Sequence, residues 1–224
     1  MRNTSNFCPK LFVQGLELSY PEADQALISG LSFELEPGQC LGISGANASG
    51  KSSLIHALCG IIPHYIKAER RGEILFQDAA LHELPLCEIY RYMAVVLADA
   101  DAQLMFPTIE SELAFALENM AVPSTSIRQR IATALVYFGL DYPMHKAPHL
   151  LSGGEQRLLL LSVVEAMDCP IVLLDEPERG LSKTSLKLLL NWLDSLCKRG
   201  RIVILASHHP EVLSVCDQRI ALGS

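Results

Sequence analysis

Apolar and polar positions alternate from Leu11 to Tyr20, the period of a half-exposed strand. A second such run, Leu31 to Leu35, follows the turn-rich PEADQ stretch. After Pro37-Gly38, Cys40 to Ser44 reads as a short buried strand, and SSLIHALCG carries helical spacing that stops at Gly60. Ile74–Phe76 and Tyr92–Leu97 are further strand candidates. Between residues 98 and 162 the spacing turns helical, in Leu113–Leu117, in Ile127–Phe138 and from Glu155 on to Met167. Two fully apolar runs follow, Ile171–Leu174 and Ile202–Ala206, the pattern of parallel strands buried on both faces. The amphipathic stretch Thr184–Lys198, closed by Gly200, lies between them. Together these runs predict one α/β domain over 1–224, with a core at 1–97 and 163–224 and a helical insertion at 98–162.

Composition narrows the options. The chain has 224 residues, half of them apolar and 19% charged, which fits an ordinary globular core. Its formal net charge of −7 argues against sequence-independent nucleic-acid binding, which needs a basic face. The seven cysteines are odd in number and form no CxxC pair, so they read as small buried hydrophobes in a reducing compartment. MRNTSNFCPK has no apolar segment behind its charge and does not read as a secretory signal. The longest apolar stretch, Leu158–Val164, is far short of the roughly 20 residues of a membrane span. A membrane role would therefore come through a partner.

Gly45-Ala46-Asn47-Ala48-Ser49-Gly50-Lys51-Ser52 matches G-x-x-x-x-G-K-[ST], between a predicted strand and a predicted helix. Such a loop curls so that backbone N–H groups face phosphate oxygens, and the helix start adds its positive dipole end. Lys51 would reach the β- and γ-phosphates of ATP, and Ser52 would contribute its hydroxyl to Mg²⁺; Ser53 continues the same turn. Downstream, Ile171–Leu174 runs into Asp175 and Glu176. Beside a phosphate loop, Asp175 would hold Mg²⁺, and Glu176 would orient and deprotonate the attacking water.

Between these motifs stands Leu151-Ser152-Gly153-Gly154-Glu155-Gln156, which resembles the signature motif of ABC ATPases. The resemblance implies a P-loop NTPase core with an N-terminal antiparallel β subdomain and an inserted helical subdomain. It also implies a head-to-tail dimer, in which each signature closes over ATP held by the other subunit. Tyr20 stands where the family places an aromatic against adenine, and His208 where it places a switch histidine that touches the γ-phosphate. Gly60-Ile61-Ile62-Pro63-His64-Tyr65 and Asp101-Ala102-Gln103-Leu104, leading to Pro107-Thr108-Ile109-Glu110, are similar to the ATPases of energy-coupling factor (ECF) transporters. Those ATPases import vitamins or transition-metal ions with a transmembrane subunit. The implied setting is cytoplasmic, peripheral at the inner face of the cell membrane, with a second ABC subunit, identical or not, as partner.

Two positions depart from the family. Ala98 stands where a Mg²⁺-contacting glutamine is usual, leaving Gln103 as the nearest candidate for that role. Ser182 stands where an interface aspartate is usual. These departures keep open a catalytically weakened partner in a heterodimer, or a nucleotide-binding regulatory subunit. A non-transport ABC protein acting on ribosomes or DNA is the remaining alternative.

Overall fold

The computed structural model describes residues 10–21, 23–76 and 79–223. Cys8 and the stretch read as lacking a signal lie outside them, apart from Lys10. Strand β1 (Leu11–Ser19) pairs antiparallel with β2 (Ile28–Leu35) and with β4 (Glu69–Phe76), and the short β5 (Ala79–Ala80) extends the edge. The β1–β4 register slips between Gln14 and Glu17. There Gly72 (φ 81°) passes so close to Gly15 that an added Cβ would lie 2.3 Å from the Gly15 carbonyl oxygen. Only glycine fits that irregularity.

A second sheet, all parallel, runs in the order β6 (Met93–Val96), β7 (Ile171–Asp175), β8 (Ile202–Ala206), β3 (Cys40–Gly45) and β9 (Gln218–Leu222). Every residue of β7 and β8 is buried, as their unbroken apolar runs predicted. Alternate residues feed two cores. Val172, Leu174, Val203 and Leu205 pack with α7 (Gly153–Met167) and α8 (Lys183–Lys198). Ile171, Leu173, Ile202 and Ile204 pack with α1 (Lys51–Leu58), the short α2 (Ile61–His64) and the antiparallel sheet. The strand expected from Tyr92 begins one residue later, because Tyr92 closes helix α3 (Leu86–Tyr92).

The helical region comprises α4 (Ala100–Gln103), α5 (Ile109–Asn119), α6 (Ser124–Tyr137) and α7. The expected boundary at 162 falls inside α7, which runs unbroken to Met167. Leu113 and Leu117 of α5, Ile131 and Leu135 of α6, and Leu159 of α7 belong to the same buried cluster as Val172 and Leu174. Helix α7 is thus shared between insertion and core. Fully buried Trp192 of α8 adds a tie. Its ring lies 5.5 Å from Phe138, and its indole N–H donates to Glu165 of α7 at 2.7 Å. No helix among the described residues is long and apolar enough to cross a membrane.

Candidate nucleotide site

The phosphate loop leaves β3 at Gly45 (φ 147°), passes Ala48 (φ 62°) and Gly50 (φ 97°), and enters α1 at Lys51. A Cβ on Gly45 would lie 2.5 Å from both the Leu222 carbonyl oxygen and Ser49 Oγ, so the loop is seated against β9. Lys51, 7% exposed, turns back across the loop and donates to the carbonyls of Gly45 (2.9 Å) and Ala46 (2.8 Å). Gly45, Ala46, Asn47, Ala48, Gly50, Lys51, Ser52 and Ser53 line an open cleft of about 1000 Å³. Ser49 does not; its hydroxyl is buried without a partner under the loop. Tyr20 lines the far end, its hydroxyl 3.0 Å from Ser53 Oγ.

Strand β7 ends at Asp175, and the next residue, Glu176, lines this cleft. Asp175 is 2% exposed, and its Oδ1 is buried without a partner. Burial pushes its pKa up, and the neighbouring Glu176 charge adds to this; a hydrogen bond with Ser52, and the charges of His56 and Lys51, pull the other way. A buried carboxylate with one free oxygen, beside a serine hydroxyl at a phosphate loop, fits a divalent cation. No group of three or more His, Cys, Asp or Glu able to hold a metal occurs among the described residues. Mg²⁺ is commonly held by one or two protein oxygens together with a substrate's phosphates and water.

Glu176 sits at φ 48°, a strained conformation for a residue with a side chain. Its N–H donates to the Ala206 carbonyl at 2.9 Å. Its carboxylate lies in the cleft between His208 Nδ1 (3.5 Å) and Arg179 Nη1 (3.8 Å). His208 is on the loop leaving β8. That loop is anchored by Ser207, whose hydroxyl donates to buried Glu178 (2.5 Å) and accepts the His209 N–H (2.9 Å).

Gln103 does not join the site. Its amide accepts from the Leu97 N–H (2.9 Å) and donates to the Val95 carbonyl (2.7 Å), so both ends are committed to the edge of β6. The expectation that it contacts the metal is corrected accordingly. Ala98, which cannot reach a metal, lines the cleft instead.

Ser152, Gly153, Gly154 and Glu155 open α7, and none of them lines the cleft of their own chain. Ser152 caps the helix. Glu155 accepts from the Ser152 N–H and hydroxyl, at 2.7 Å each, and from the Tyr142 hydroxyl. These bonds, that from the Ser152 hydroxyl first, hold the partly exposed Glu155 carboxyl down at about 2. A Cβ on Gly154 would lie 2.8 Å from the Gly180 carbonyl oxygen. The loop from Glu176 to Gly180 therefore borders the cleft at one end and the start of α7 at the other.

The sequence reading assigned no role to Arg157 or Arg179. Arg157, 2% exposed, donates from α7 to the carbonyls of Leu97 (2.6 Å) and Ala98 (2.5 Å). Its signal was a lone cation ahead of Leu-Leu-Leu-Leu, and Arg179's was a cation three residues past the second acid.

Residues 28–179, more than half of the chain, match the ABC transporter family. An ABC transporter ATP-binding protein of Geobacter sulfurreducens is 32% identical over 91% of this chain and 78% of its own length. The energy-coupling factor transporter ATP-binding protein EcfA of Methanothermobacter thermautotrophicus is 30% identical over 93% of the chain and 66% of its own. Among solved structures, cbiO1 from Clostridium perfringens, part of the ABC transporter complex cbiONQ, superposes with a TM-score of 0.77. It is 26% identical, over 95% of this chain and 84% of that one. The chain spans only 40% and 45% of the length of relatives from Methanosarcina acetivorans and Sulfurisphaera tokodaii. The chain belongs to the ABC transporter family, as an ATP-binding P-loop domain with the α/β fold of ABC ATPases.

Proposed function

We propose that this chain is the ATP-hydrolysing subunit of an ECF-type importer, driving a membrane partner by ATP-dependent dimer closure. One observation carries the reading: the signature turn does not line the cleft that the phosphate loop forms in its own chain, and Gly154 instead faces the Gly180 carbonyl on the Glu176–Gly180 loop. A triphosphate in the cleft meets a signature only when a second subunit supplies it. Tyr20 would pack on adenine, and Lys51 would exchange its carbonyl partners for phosphate oxygens. Bound Mg²⁺, held by Ser52 and Asp175, would neutralise charge on the triphosphate. Glu176 would take a proton from the attacking water, with His208 near the γ-phosphate. The names of the EcfA and cbiO1 relatives support the ECF assignment.

A surface for the membrane partner is available. An apolar groove of about 620 Å³ runs between β6, α3 and α5, past Tyr90, Met93, Met105, Phe106 and Phe115. Met105 is 72% exposed and Phe115 44%. Glu112 fixes the rim by accepting the N–H groups of Met105 (3.0 Å) and Phe106 (2.9 Å). Such a groove suits a short amphipathic helix. The partner would place the chain at the cytoplasmic face of the membrane.

A second reading draws on Ala98 and Ser182. Ala98 brings no polar group to the cleft, and Ser182 spends its hydroxyl capping α8, on the Ser185 N–H at 3.1 Å. This reading pairs the chain with a different, more complete subunit. Light scattering of the Glu176→Gln form with ATP separates the two. A homodimer supports the first reading; dimerisation only with the cognate subunit supports the second. A monomer in both mixtures sinks the shared mechanism.

A further inference from the structure

Three thiols from distant parts of the sequence meet on the side of the parallel sheet that carries α8. Cys40 opens β3, Cys197 is near the end of α8, and Cys216 follows helix α9 (Pro210–Ser214). Cys40 is 1% exposed and donates to Cys216 Sγ at 3.4 Å, and Cys197 packs against the same buried cluster. The backbone holds this meeting in place. The Cys40 N–H donates to the Asp217 carboxylate (2.8 Å), and the Asp217 N–H donates to the Cys40 carbonyl (2.9 Å). Cys216 lies over Gly42, where an added Cβ would come within 3.0 Å of its sulfur. The pair cannot drift apart without disturbing β3.

We propose that Cys40 and Cys216 form a peroxide-oxidisable dithiol, with Cys216 the attacked sulfur and Cys40 the resolving one. Cys216 is half-buried, whereas Cys40 is closed to solvent, so Cys216 is the more accessible of the two. The hydrogen bond from Cys40 pulls the Cys216 thiol down, favouring the nucleophilic thiolate, while its bonds to Cys197 and Cys216, with burial, push Cys40 up. The Cys216 thiolate attacks one peroxide oxygen, the O–O bond breaks, and the hydroxide released takes a proton to become water. The resulting sulfenic acid is attacked by the Cys40 sulfur, losing its hydroxyl as a second water with the Cys40 proton. Two thiols and one hydrogen peroxide thus give one disulfide and two waters.

The consequence reaches the nucleotide site. Cys216 ends the segment that starts with Ser207 and His208, so the bond would pin the far end of the His208 loop to the base of the strand that carries the phosphate loop.

The test is peptide mapping of the full chain under non-reducing conditions after exposure to hydrogen peroxide and alkylation of free thiols. A Cys40–Cys216 linked peptide, removed by dithiothreitol, is expected, and Cys197→Ser should retain it. In Cys40→Ser, which keeps a hydroxyl donor toward Cys216 but no resolving sulfur, Cys216 should instead accumulate as a sulfenic acid captured by dimedone. Absence of any Cys40-containing disulfide from oxidised wild-type chain overturns the proposal, as does linkage of Cys216 to Cys197 alone. The wild-type map decides the matter even where a variant folds poorly.

Discussion

Helices α1 and α7 both begin at a serine- and glycine-rich turn, yet their first turns are finished differently. Helix α1 starts after Gly50, in the left-handed region and with no side-chain cap. Its first N–H groups have neither an intrahelical acceptor nor a side-chain cap, and Lys51 bonds to two backbone carbonyls. Helix α7 starts after Ser152 with a complete capping box, so Glu155 supplies the anion from within. The first is an open phosphate cradle. The second is a stable helix end that already carries a negative charge, and an incoming triphosphate has to displace or tolerate it.

Removing the cation tests the open end and has the largest expected effect. Lys51→Ala should weaken ATP binding by about a hundredfold, the worth of losing charge-assisted bonds to phosphate. Titration calorimetry would read it, and unchanged affinity would mean that α1 is not the cradle. Ser152→Ala strips the cap from the closed end and should cost about 1 kcal/mol of stability, seen as a lower Tm. A Tm equal to wild type would show the cap to be redundant. Glu155→Gln keeps a cap but removes the charge, and should tighten ATP-driven dimerisation roughly threefold by relieving like-charge repulsion. Sedimentation in the Glu176→Gln background measures it; weaker dimerisation would mean that the carboxylate itself is needed.

The pH dependence of that cap follows from the depressed Glu155 carboxyl. A lowered folded-state pKa contributes stability above the ordinary carboxylate range, and loses it as pH falls toward about 2.

What the sequence disclosed follows the physics of burial. Strands β7 and β8 are buried on both faces, so their composition is unambiguous, and the loop into α1 carries residue types that few other structures demand. Strand β9 escaped notice because Gln218–Leu222 is a half-exposed edge with only three apolar residues. Yet β9 is what Gly45 leans on. Gln103 misled because sequence distance from β6 says nothing about direction; its amide folds back onto the strand. Arg157 was invisible for a related reason: its partners are the carbonyls of Leu97 and Ala98, and backbone acceptors leave no trace in residue type.

The near-contact of Gly154 with the Gly180 carbonyl has a mechanical corollary. The two backbones leave no room for a side chain between them, and close packing of this kind resists compression but offers no tension. A shift of the 176–180 loop toward α7 has little slack to take up before it pushes on the helix, whereas its retreat exerts no pull. The return stroke falls to a tether that can be stretched, and Arg157, gripping the carbonyls after β6, is placed to be that tether.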